Sequence, residues 1–183
     1  MGAHLVFLDE SGFLLIPPVQ RTWAPVGHTP VLRPSYRRDR LSVIGGLSVS
    51  PARHQLGLYF QIYPWNVTAV EVVGYFRELL RHLRGHVIVL LDRSSIHRDR
   101  KVVEFYRTHR RLRVEWFPAY APELNPEEYV WTHAKQTVSN TCPENRDQLL
   151  DLGIEALCDL KESPSLLSAC LAQAANHGLV WDG

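Results

Sequence analysis

His86-Val87-Ile88-Val89-Leu90-Leu91-Asp92 decides how the rest of the chain reads. A run of branched and aliphatic residues without polar alternation reads as a strand buried on both faces, at the centre of a sheet covered by helices. Asp92 closes that run at its C-terminal end. Gly85 stands before it and ends a helix predicted over 67–83. There Val70, Val73, Phe76, Leu80 and Leu83 recur at helical spacing, and Asn66 and Thr68 offer capping groups. Beyond Asp92 the pattern predicts a helix over 100–109, a strand over 112–117 and a loop over 118–126. Asn125 introduces a helix running to about Val138, and helices over 146–161 and 164–176 follow.

Toward the N-terminus, His4 to Asp9 is a second apolar run, too short for a helix and suited to a buried strand. Gly12 marks a turn, with Phe13 to Ile16 expected to return as another strand. Pro17 to Pro34 holds five prolines and reads as a loop, because proline lacks the N–H that regular structure needs. Residues 41–49 and 55–63 look like a strand pair joined through Pro51. This order of elements predicts an α/β class with a mixed central sheet flanked by helices. A ribonuclease-H-like fold fits it, although the bare order would suit other α/β folds too.

The 183 residues suggest one domain, 1–183, with 45% hydrophobic and 21% charged residues, as in ordinary globular proteins. No apolar run approaches the roughly 18 residues of a membrane-spanning helix. Leu5 to Leu8 is too short for a signal peptide, and Asp9 and Glu10 follow at once. Cys142, Cys158 and Cys170 are widely spaced and read as small apolar residues of the last helices, which points to a reducing cytoplasm. A net charge of +1 does not by itself announce a nucleic-acid partner. The basic residues nevertheless cluster, at Arg33, Arg37, Arg38 and Arg40 and again from Arg98 to Arg113, where a solvated helix face is the plain alternative.

Asp9 and Asp92 each end an apolar strand, which is where ligand sites gather in open α/β sheets. A single such Asp is commonly a loop cap. Two, with a third acid on a neighbouring helix, point to a shared site, since a buried carboxylate is costly without a metal or a partner. If the first strand persists, Asp9 and Glu10 face opposite ways, so only one can join it. The third acid lies in Tyr120-Ala121-Pro122-Glu123-Leu124-Asn125-Pro126-Glu127-Glu128-Tyr129-Val130-Trp131. Pro126 suits the first helical position after an Asn cap, and the helix dipole favours both Glu127 and Glu128 in the first turn. Spacing does not choose between them, since Trp131 is four residues from one and three from the other.

That last stretch resembles the third catalytic block of DDE transposases, in the bacterial insertion-sequence branch related to Tc/mariner. Phe7-Leu8-Asp9-Glu10-Ser11-Gly12, with Arg21-Thr22-Trp23-Ala24-Pro25-Val26-Gly27, resembles the first block, and Leu90-Leu91-Asp92-Arg93-Ser94-Ser95-Ile96-His97 the second. The resemblance spans roughly residues 5–140. It departs from the family at Arg93, where Asn is usual, and at Glu127, where an aliphatic residue is usual. It implies a ribonuclease-H-like fold and a catalytic, metal-binding triad of Asp9, Asp92 and Glu128, holding Mg²⁺ or Mn²⁺, two ions in all. Asp9 would bridge the ions.

The implied activity is metal-dependent DNA cleavage and strand transfer at transposon ends, by a homodimer in the DNA complex, without membrane contact. The competing readings are another ribonuclease-H-like nuclease and a decayed DNA-binding or assembly module. Trp23, Arg93, His97, Arg98 and Lys135 are candidate DNA contacts; His97 also reads as a general base, but more readily as a hydrogen-bonded structural or DNA-contacting residue, because the metals already activate water. Arg93 could instead pair with Asp92. Trp131 reads as a core anchor. The family's N-terminal helix-turn-helix is expected to be absent, as the first catalytic strand starts within about five residues of Met1.

Overall fold

The computed structural model describes residues 2–15, 23–28, 31, 39–51 and 55–179. Its sheet is built from β1 (Ala3–Leu14), β2 (Arg40–Val49), β3 (Leu56–Tyr63), β4 (His86–Leu91) and β5 (Leu112–Trp116). Five helices accompany it: α1 (Ala69–His82), α2 (Arg100–Thr108), α3 (Pro126–Val138), α4 (Arg146–Lys161) and α5 (Pro164–Asn176). The strand order is β3-β2-β1-β4-β5, with β1–β2 and β2–β3 antiparallel and β1–β4 and β4–β5 parallel.

Two apolar clusters lie on the two faces of the sheet. Phe7 and Phe13 of β1 join α3, α4 and α5 in one cluster, while Val6 and Leu8 join α1 and α2 in the other. That alternation is the period of two expected of a strand covered on both sides. It sends Asp9 toward α3 and Glu10 toward α1 and α2.

The turn expected at Gly12 is corrected by the structure. β1 runs through it without a break, Gly12 pairing with Ser42 and Leu14 with Arg40. Phe13 is buried and Leu14 exposed, so the alternation simply continues, and glycine needs no turn where a neighbouring strand supplies the hydrogen bonds. Ile16 and most of the proline-rich stretch lie outside the described residues.

In α1 the buried stripe is Val72, Val73, Tyr75, Phe76 and Leu79, whereas Val70 is exposed. An apolar-rich helix offers two adjacent stripes, and the Tyr75 hydroxyl selects this one by donating to the Tyr59 carbonyl at 2.9 Å. The helix starts later than expected because Thr68 and Glu71 form a reciprocal capping box. At its other end Arg111 donates to the carbonyls of Gly85 (2.8 Å), Leu80 (3.2 Å) and Leu83. These include carbonyls a helix C-terminus leaves without a partner.

The remaining elements fall within a residue or two of expectation. Cys170 is buried in α5 and Cys158 half-buried on α4, but Cys142 follows α3 in a connection rather than lying in a helix. Among the described residues no helix is long and apolar enough to cross a membrane.

Candidate active site

β1 and β4 run parallel, and their ladder ends at the pair Phe7–Leu90. Two residues further along each strand come Asp9 and Asp92. The sheet therefore parts where its two central acids stand, while β1 keeps its pairing with β2 through Leu14.

The third element arrives through Asn125. Its side-chain oxygen accepts from the Glu127 amide at 3.2 Å, capping α3, while its amide group donates to the Leu8 carbonyl at 3.2 Å. One buried side chain thus begins the helix and ties it to β1 one residue before Asp9. Trp131, one turn further on and almost fully buried, donates its indole N–H to Asp9 Oδ2 at 3.0 Å. Trp131 is the core anchor the sequence suggested, and it also holds Asp9.

Glu127 and Glu128, inseparable by spacing, are separated by burial. Glu127 points into the protein with no exposed surface, and neither carboxyl oxygen has a well-formed hydrogen-bond partner among the described residues, although the Leu47 backbone lies near enough to favour its charged form. It fits because Gly45, paired with Asp9 on β2, has no side chain: a Cβ there would lie 2.3 Å from Glu127 Oε1 and 2.4 Å from Trp131 Cη2. Glu128 instead lines an open cleft of about 500 Å³ together with Asp92, Arg93, Ser94, Arg98 and Tyr120. Tyr120 is fully exposed at the rim with a left-handed backbone (φ 59°), a placement no local pattern announces.

Crowding marks the acids. The Asp9 carboxyl is pushed up to about 8, first by burial and then by the negative charges of Glu128 and Glu10, against the Trp131 hydrogen bond. Burial, with Asp9 nearby, raises Glu127 well above the usual carboxylate range. Asp92 moves the other way. The His97 hydrogen bond holds it below its ordinary value against partial burial, helped by the Ser94 amide and Arg98.

His97 falls on the structural side of the two readings open to it. It has no exposed surface, so it offers DNA nothing to touch and the structural alternative is realised. Its Nδ1 lies 2.7 Å from Asp92 Oδ1, and its Nε2 lies 2.8 Å from Glu10 Oε1. Both ring nitrogens face carboxyl oxygens, an arrangement that favours the doubly protonated ring. Burial alone would lower its pKa, but the bonds to Asp92 and Glu10 outweigh it and lift it to about 10. Strand alternation allows only one of Asp9 and Glu10 into the shared site, and no spacing rule links positions 10 and 97.

Of the other expected contacts, Arg93 and Arg98 stand in the cleft wall, and no ion pair joins Arg93 to Asp92 among the described residues. Trp23 is fully exposed and Lys135 lies in the last turn of α3; neither lines the cleft. Among the described residues no three acidic, histidine or cysteine side chains already converge as a metal site. The donor set nevertheless suits a hard divalent cation: three carboxylates on adjacent strands and a helix, one of them with its pKa raised by burial first and by its acidic neighbours second.

The family model described as DDE superfamily endonuclease matches residues 4–150. Among solved structures, the Mos1 strand transfer complex is similar with a TM-score of 0.63 at 18% identity, over 97% of this chain and 56% of that one. The catalytic domain of Mos1 mariner transposase gives 0.53 at 15% identity, covering 93% of this chain and 81% of that one. The HTLV-2 integrase catalytic core domain in complex with magnesium gives 0.51 at 9%, covering 87% and 86%. At such identities the likeness is one of fold, the ribonuclease-H-like arrangement of a mixed sheet flanked by helices. The chain spans a little over half the length of the Mos1 chains in the DNA-end and strand-transfer complexes. No curated protein matches it in sequence.

Proposed function

The chain belongs to the DDE superfamily of endonucleases, and from that premise we propose that it is the catalytic domain of a transposase. It would cut DNA at transposon ends and join the freed 3′-hydroxyl to target DNA, working as a homodimer because two ends must be processed together. The observation that carries this reading is the meeting of three chain segments: Asp92 and Glu128 in one cleft, and Asp9 behind them, close enough to Glu128 for its charge to be felt.

Asp9, Asp92 and Glu128 would hold two divalent ions, Mg²⁺ or Mn²⁺. When bound, such ions polarise the scissile phosphate and make water a competent nucleophile near neutral pH. The protein's own work is placement and charge. Trp131 fixes Asp9, Asn125 sets the start of α3 against β1, and Arg93 and Arg98 offer donors to phosphate oxygens at the cleft wall. A cation there would be held by the ionised form of Asp9, so its binding would compete with the proton that burial and the neighbouring acids favour on that carboxyl.

The test is Mn²⁺-dependent nicking and strand transfer on DNA carrying the element's ends. Asp92→Ala and Glu128→Ala are each expected to abolish both reactions while the chain stays folded. Equal activity in the wild type and both variants would overturn the assignment. Nicking without strand transfer would favour a ribonuclease-H-like nuclease of another kind.

A further inference from the structure

We propose that Glu10 and His97 are positioning residues, which together hold Asp92 by one carboxylate oxygen and leave the other free to take a divalent cation. This rests on the reading of Asp92 as a metal ligand. Asp92 Oδ1 receives His97 Nδ1 at 2.7 Å and the Ser94 amide at 3.0 Å, while Oδ2 has no hydrogen-bond partner among the described residues. The Asp92 side chain is about half exposed, 55%, so without these bonds it would sample several rotamers.

The link also spans the gap in the sheet. β1 and β4 stop pairing at Phe7–Leu90, just before both acids. Beyond that point Glu10, His97 and Asp92 take over, joining the two strand ends across 87 residues of chain by bonds of 2.8 and 2.7 Å. Glu10 is the immediate neighbour of Asp9, so this bridge sets the separation of the two acids where no ladder bond does. Its central ring is wholly buried and its far end largely so, at 0% and 19% side-chain exposure.

A histidine needed only for stability would gain little from two acidic partners, since burying charge is costly and an apolar side chain of similar volume serves a core as well. Metal-binding side chains, by contrast, are commonly held by an outer layer of hydrogen bonds, whose loss weakens metal affinity about 10- to 100-fold.

The test measures Mn²⁺ binding to the whole chain by calorimetry, together with nicking as a function of Mn²⁺ concentration. Glu10→Ala and His97→Leu are expected to bind Mn²⁺ about ten-fold or more weakly. Each should need correspondingly more Mn²⁺ for half-maximal nicking, with the rate recovering at saturation. His97→Asn, whose side-chain amide can occupy the place of Nδ1, is expected to keep most of the affinity. Should His97→Leu fail to fold by circular dichroism, Glu10→Ala carries the comparison alone. Wild-type Mn²⁺ affinity in folded Glu10→Ala would overturn the proposal. Equal Mn²⁺ binding by the wild type and Asp92→Ala would instead overturn the metal-site reading, and the positioning role with it.

Discussion

Glu127 and Gly45 show how closely residues are fitted around Asp9. Apart from the Leu47 backbone nearby, the two carboxyl oxygens of Glu127 are buried without a well-formed partner among the described residues, and an unsatisfied buried polar group costs about 1–3 kcal/mol. Glu127→Met, similar in volume and apolar, is expected to raise metal-free stability by about that amount in urea denaturation; a loss would mean the carboxyl has a favourable partner. Gly45→Ala should act oppositely. Its Cβ would meet Glu127 Oε1 and the Trp131 ring, and overpacking costs about 1–3 kcal/mol.

The titrating residues set a pH dependence as well. Asp9, near 8 in the folded protein against 3.8 ordinarily, keeps a proton that the unfolded chain has lost. Metal-free stability therefore falls as pH rises from about 4 to 8. His97, raised from 6.5 to about 10, retains its proton over the next window and acts in the same direction. Asp92 works the other way, but only below its ordinary 3.8. The melting temperature of metal-free protein should fall steadily from pH 5 to pH 9, and added Mn²⁺ should flatten the decline by replacing the proton on Asp9. A rising melting temperature over that range would contradict these assignments.

At the scale of elements, α3 is positioned by its first cap. Asn125→Ala removes both the helix cap and the bond to Leu8, and should cost about 1–2 kcal/mol in thermal or urea unfolding. Asn125→Asp keeps the capping oxygen but sets a carboxylate against the Leu8 carbonyl, so it should rescue little; full rescue would show that capping alone matters. The elements themselves were largely legible in the sequence. β4, α3, α4 and α5 follow from apolar runs, caps and prolines that act within a few residues. Continuity of β1 through Gly12 was hidden because it depends on β2, about 30 residues away. Of the residues expected to line α1, Val73, Phe76 and Leu83 are buried, and only the shift of the stripe toward Val72, Tyr75 and Leu79, where the Tyr75 hydroxyl meets Tyr59, was hidden. The site was legible in the same measure. Asp9 and Asp92 declared themselves by ending strands, whereas the Glu10–His97 contact and the inward turn of Glu127 depend on which elements meet.

For the whole molecule, charge is unevenly spread. Residues 77–113 hold eleven of the twenty Lys and Arg but only four of the nineteen Asp and Glu. Some of that charge is spent internally, as at Arg111, so the surface available to a polyanion is smaller than the count implies. DNA binding by this chain is accordingly expected to be weak, little dependent on sequence and strongly weakened by salt, read as a linear fall of log affinity with log salt concentration. Nanomolar, sequence-specific binding at physiological salt would contradict it.

The candidate acids enter the chain at positions 9, 92 and 128, and the element that delivers the last of them, α3, ends at Val138. Neighbours in the sheet are distant in the chain, and such contacts form late because long loops must close first. During synthesis, β1 and β2 can pair early, but the parting between β1 and β4 cannot exist until β4 has emerged, nor be closed by Glu128 until α3 follows. An unfinished chain on the ribosome thus lacks the complete set of three acids until α3 has been made.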